Sequence, residues 1–215
     1  MKYKIVYIDE DEGWLNTFYQ TFKRDFEILR IKADAGTTLD GIVETIFKSE
    51  IDGIVTDYLL DESGEVDFNG NKIVDAIRDY KPHFPAIMLT AHEPQAISQT
   101  EDANIIYGKD ILDGENEKRL EIFRAKIKSN IDRYYSLIEN TENRIKELAK
   151  KRNETNLEPN EEEELTKLFI LMDELEPEGK EMPANLIKNE VITKLNEFVS
   201  QTREILEELK KKKEK

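Results

Sequence analysis

Apolar positions along residues 1–112 fall into two alternating rhythms. Short, mostly apolar runs predict strands, Tyr3–Ile8 having enough β-branched and aromatic side chains to be buried on both faces and Phe26–Ile31 being the weaker one. These runs are Tyr3–Ile8, Phe26–Ile31, Ile51–Thr56, Pro85–Thr90 and Asn104–Tyr107. Between them, apolar residues recur every third or fourth place and predict helices. Trp14, Leu15, Phe18, Tyr19 and Phe22 give the first helix an aromatic inner stripe. Leu39, Ile42, Val43, Ile46 and Phe47 mark a second over 38–48, and Ile73, Val74 and Ile77 a third that stops near Lys81-Pro82. Residues 94–102 predict a brief, poorly apolar fourth helix.

Strand and helix in alternation imply βαβ units, a parallel sheet and right-handed crossovers. The expected fold class is α/β: a flavodoxin-like five-stranded parallel sheet of order 2-1-3-4-5, followed by an all-α helical region. Beyond Gly114 the rhythm is helical throughout. Leu120, Phe123, Ile127, Ile131, Tyr134, Ile138, Ile145 and Leu148 hold one stripe, predicting a long helix over about 115–152. A second is expected over about 161–176, opened by an Asn160/Glu163 capping box with Pro159 just outside it. A third over about 184–211 carries Ile187, Val191, Leu195, Phe198, Thr202, Ile205 and Leu209 in near-heptad spacing. Each stripe needs a partner: a neighbouring helix, the sheet, or a second copy in a homodimer. The division is thus an α/β domain at 1–113 and a helical output or interaction region at 114–215. Glycine marks the same boundary, with eight of nine at or before Gly114.

Charge and composition narrow the function. There is no cysteine, so neither disulfides nor a thiolate metal site is available. No signal segment and no apolar run of membrane-spanning length is evident, so a soluble cytoplasmic protein without membrane contact is expected. Net charge is −15. Residues 1–112 carry 22 acidic and 11 basic side chains, against 25 and 21 in residues 113–215. Neither part is net positive and no basic recognition helix follows a compact turn, so DNA binding is not expected.

The chemistry gathers where the strands end. In an open parallel sheet the carboxyl ends of the strands share one edge, and ligands bind there. Tyr3–Ile8 runs into Asp9-Glu10, Ile51–Thr56 into Asp57, Pro85–Thr90 ends on Thr90, and Asn104–Tyr107 is followed by Gly108-Lys109. Asp9, Glu10 and Asp57 are three hard oxygen donors with no histidine or cysteine in the motif, which suits magnesium. Phosphoryl transfer needs mainly positioning and charge neutralisation. Lys109 supplies an ammonium and Thr90 a hydroxyl.

Strand-Asp-Glu, strand-Asp, strand-Thr and strand-Lys, in that order, resemble a response-regulator receiver domain of two-component signal transduction. The resemblance implies that Asp57 is the phosphoacceptor. It makes Glu10 and Asp57 direct magnesium ligands with the Leu59 backbone carbonyl, and Asp9 a ligand acting mostly through water. It makes Thr90 the switch hydroxyl and Lys109 the lysine paired with the phosphate. It implies a histidine kinase or phosphotransfer protein as partner; the helical pattern of residues 114–215, without a DNA-binding helix, makes contact with an unknown downstream protein the expected output. Four features depart from the family pattern. Asp110 stands where a proline is usual, and Ile106 stands at the switch-aromatic place with Tyr107 one residue later. The loop 58–69, bearing Asp61, Glu62, Glu65 and Asp67, is longer, and the stretch from Thr90 to Lys109 is shorter. The alternative is a non-phosphorylated pseudo-receiver that serves as an assembly or oligomerisation scaffold. No turnover enzyme is expected, only catalysis of phosphorylation and dephosphorylation at Asp57 itself. A haloacid-dehalogenase-like phosphatase would need a second acid where Leu59 stands. His83 and His92 read as surface histidines, with His92 near enough to the site to tune it.

Overall fold

The computed structural model describes residues 2–177, apart from 63 and 115. Five strands, β1 (Lys4–Asp9), β2 (Glu27–Lys32), β3 (Gly53–Thr56), β4 (Ala86–Thr90) and β5 (Ile106–Gly108), form one sheet in the order β2-β1-β3-β4-β5. Every pairing is parallel. The α/β expectation and its strand order are therefore what is observed. Helices α1 (Glu12–Phe22), α2 (Leu39–Lys48), α3 (Gly70–Tyr80), α4 (Glu93–Gln99), α5 (Glu117–Thr155) and α6 (Pro159–Leu175) complete the described chain.

Side chains alternate across each strand, so the central strands feed two cores. Ile5, Tyr7, Val55, Ile87 and Leu89 join Leu15, Phe18 and Phe22 of α1 and Phe123, Ile127 and Ile131 of α5 in one buried cluster. The alternate positions Val6, Ile8, Ile54 and Met88 are equally buried, as are Ile42, Val43 and Ile46 of α2 and Ile73, Val74 and Ile77 of α3. The sheet's packing thus reaches past residue 113 into the first turns of α5. Beyond them Tyr134, Ile138 and Leu148 are buried, with Leu165 and Leu175 of α6. By helix rise α5 is about 58 Å long.

Several boundaries differ from expectation, and those of β5 and α6 have a local cause. Strand β5 begins at Ile106 rather than Asn104, because the Asp102 side chain accepts the Asn104 N–H (3.1 Å) and winds 103–105 into a 3-10 turn. The brief fourth helix ends at Gln99 rather than Asp102. Helix α6 begins at Pro159, not near Asn160 with the proline outside. Proline's fixed φ and missing N–H suit the first helical position, and the Glu161 carboxylate accepts the Glu158 N–H at 3.0 Å. Three basic side chains near the end of α5 reach across to α6, forming a helical hairpin: Arg144 meets Glu164 at 2.7 Å, Lys151 meets Glu161 at 2.5 Å, and Arg152 meets Glu162 at 3.3 Å. The helix expected over 184–211 lies outside the described residues.

Candidate functional site

Parallel pairing brings the carboxyl ends of β1, β3, β4 and β5 to one edge, and the expected residues meet there. Asp9 closes β1 and Asp57 follows β3, both buried. Thr90 closes β4, also buried, and Lys109 follows β5 with only 4% of its side chain exposed. Lys109 Nζ lies 2.5 Å from Asp57 Oδ2 and 2.9 Å from Asp9 Oδ2. Glu10 is half-buried beside them. One oxygen from each of Asp9, Glu10 and Asp57 falls within 4.8 Å of the others. Leu59 is two residues past Asp57 in the loop leaving β3, half-buried. Thr90 Oγ1 accepts the His92 N–H at 3.0 Å, so His92 touches the rim through its backbone. His83 is exposed, 3.4 Å from Glu174.

Local structure holds the phosphoacceptor candidate in place. The Tyr58 N–H donates to Asp57 Oδ1 at 2.6 Å, and the Gly70 N–H donates to the Tyr58 carbonyl at 2.8 Å. A Cβ on Gly70 would stand 1.9 Å from the Asp57 carbonyl oxygen, so only glycine lets α3 start against this strand end. The long loop between them is anchored by buried Leu60, Val66 and Phe68. Asn69 Oδ1 accepts the Leu60 and Asp61 N–H groups, at 2.9 and 3.2 Å. Its acids at 61, 62, 65 and 67 point outward.

Electrostatics at the rim are those of crowded, desolvated acids. Burial pushes Glu10 up to about 7; its backbone hydrogen bond opposes this, and the Asp9 and Asp57 charges add to it. Burial likewise raises Asp9, against the pull of Lys109 and Tyr7. For Lys109 burial alone acts downward, but Asp57 and Asp9 outweigh it and the ammonium is raised. Glu10 Oε2 is buried and has no hydrogen-bond partner among the described residues. An orphaned carboxylate oxygen among acids is costly unless a cation meets it. The all-oxygen donor set and this oxygen both fit a hard divalent ion.

Two side chains that the strand-end pattern did not single out belong to the site. The Tyr7 hydroxyl donates to Asp9 Oδ2, and the Trp14 ring lies 5.3 Å from Lys109 Nζ by its centroid. Period-two spacing puts residues 7 and 9 on one face of β1, a signal of nearness that leaves the partner of the Tyr7 hydroxyl open. Tyr107, by contrast, turns away. It pairs in register with Leu89 and packs its ring on Phe123 of α5 (5.5 Å), while Thr90 shares the other face with Ile106.

No family model matches the chain, and no curated protein matches it. Among solved structures it is similar to a response regulator receiver protein from Sinorhizobium medicae WSM419, 17% identical over 61% of this chain and 95% of that one, TM-score 0.45. It is similar to the signal receiver domain of an HD domain-containing protein from Pseudomonas fluorescens Pf-5 (14%; 61% and 91%; 0.47). It is also similar to the non-phosphorylated receiver domain of the stress response regulator RcsB from Escherichia coli (16%; 59% and 95%; 0.44). What the site can do follows from its own geometry.

Proposed function

We propose that this chain is a response-regulator-like signalling protein that accepts a phosphoryl group on Asp57. The observation that carries the proposal is the meeting of Lys109 with both Asp57 and Asp9, beside the unpartnered oxygen of Glu10. The donor is a phosphohistidine on a histidine kinase or phosphotransfer protein. An Asp57 carboxylate oxygen attacks phosphorus, the P–N bond breaks, the imidazole leaves with the bonding pair, and an acyl phosphate remains. A divalent ion held by Glu10, Asp57 and the Leu59 carbonyl, with Asp9 at its water, would neutralise the phosphoryl oxygens and the attacking carboxylate together. Lys109 supplies the second positive charge from within contact distance of Asp57. Thr90, one strand over on the same edge, offers a hydroxyl to a phosphoryl oxygen. Drawing that hydroxyl inward biases the adjoining face between two arrangements. The output is protein–protein contact through the helices after residue 113, within the cytoplasm, and not DNA binding.

Incubating the full chain with magnesium and acetyl phosphate, then weighing it intact, tests this. Wild type gains one phosphoryl group and Asp57→Asn gains none. No gain in wild type, or a gain that survives Asp57→Asn, contradicts the proposal. One observation favours the second reading, a constitutive scaffold: Tyr107 faces α5 and does not share the Thr90 face. That reading requires a wild-type mass that does not change.

A further inference from the structure

Tyr7 is the polar group at the rim that phosphoryl transfer leaves without a task. It is fully buried, its ring is stacked on Phe18 with centroids 4.1 Å apart, and its hydroxyl donates to Asp9 Oδ2. The same oxygen faces Lys109 Nζ at 2.9 Å. A carboxylate oxygen offers about two lone-pair positions, so these two donors fill Oδ2. Asp9 Oδ1 accepts the Asp11 N–H at 3.0 Å. Asp57 is less engaged: Oδ1 takes the Tyr58 N–H and Oδ2 takes Lys109, leaving about one position open on each. Glu10 Oε2 takes no donor among the described residues.

We propose that Tyr7 is a positioning residue that commits Asp9 to the protein and thereby makes the site selective for magnesium over calcium; this rests on the metal site proposed above. Calcium takes about six to eight oxygens and favours additional or bidentate carboxylates, whereas magnesium keeps several waters and needs about one or two. With Oδ2 filled and Oδ1 shared with the Asp11 N–H, Asp9 keeps about one open position, enough to meet a metal-bound water but not for bidentate contact. Glu10 and Asp57 are thus the carboxylates placed for direct contact, which suits the smaller ion. The stacking on Phe18 fixes the ring, so the hydroxyl has one place to go. Tyr7→Phe keeps that packing and opens one position on Asp9 Oδ2, which calcium can use and magnesium does not need.

The test titrates the full chain with magnesium chloride and with calcium chloride, by calorimetry and by the fluorescence of Trp14, the single tryptophan. In Tyr7→Phe the calcium dissociation constant falls relative to that of magnesium by on the order of tenfold, one added carboxylate contact. Adding Asp9→Asn to Tyr7→Phe removes the change. A merely structural role would weaken both ions in parallel. An unchanged calcium-to-magnesium ratio, or a shift that persists without Asp9, overturns the role of Tyr7 and leaves the metal site standing. Wild type that binds no magnesium overturns the metal site, and this inference with it.

Discussion

Charge is used in opposite ways at the sheet's rim and along the α5–α6 hairpin. At the rim, Lys109, Asp9 and Asp57 are buried together within contact distance. On the hairpin, Arg144, Lys151 and Arg152 meet Glu164, Glu161 and Glu162 in solvent. Solvated pairs are screened and contribute little, so the hairpin's charges mainly keep two helices in register and in solution. Buried charges cost desolvation free energy that an apolar trio of the same size would avoid. Their presence at a strand edge is therefore better explained by chemistry than by stability. The same residue types form a solvated surface in one place and a buried cluster in the other, and burial makes the difference.

Apolar side chains draw the same contrast and set its largest effect. Phe123 on α5 packs against Phe22 and Tyr107 and is fully buried, whereas Phe169 on α6 is 55% exposed. Phe123→Ala should cost about 4 kcal/mol by urea denaturation, and Phe169→Ala less than about 0.5 kcal/mol. Equal costs would break the distinction. Next comes Lys109→Met, which leaves two acids facing each other without their cation. A loss of about 3 kcal/mol is expected in metal-free buffer, and magnesium should recover part of it.

pH separates the regions further. The folded value of Glu10 is raised to about 7 from its ordinary 4.5. Folding therefore favours its protonated form. The stability this contributes is full below the unfolded value and is lost as pH rises through the folded one. Metal-free protein should show a lower urea midpoint at about pH 8 than at about pH 6, and saturating magnesium should close the gap by favouring the carboxylate. The smallest effect is Arg144→Ala on the hairpin. It should shift the urea midpoint slightly at low ionic strength and not measurably at high, because exposed pairs are screened.

Much of this architecture was legible because the central strands are buried on both faces and read as unbroken apolar runs. Their ends then announce Asp9, Glu10, Asp57, Thr90 and Lys109 without further information. Asn69-Gly70, a turn-forming pair in the sequence, carries meaning too, since glycine alone fits against the Asp57 carbonyl. What stayed hidden depends on tertiary partners. Tyr7 reads as one more inward aromatic until its hydroxyl is seen to reach Asp9. The start of β5 moved because the Asp102 side chain captures a backbone N–H, a local competition that apolar pattern does not register. An amphipathic stripe states that a helix needs a partner but not which one. That α6 folds back along α5 through Arg144, Lys151 and Arg152 had no signature beyond complementary charge.

The central claim is that four separated segments build one phosphoryl-accepting carboxylate, and locating the acyl phosphate tests it most directly. After treatment with acetyl phosphate and magnesium, borohydride reduces an aspartyl phosphate to homoserine, and peptide mapping finds the altered residue. The account predicts reduction at Asp57 alone, dependent on magnesium and lost in Lys109→Met. Reduction at another acid, or at none, would contradict it.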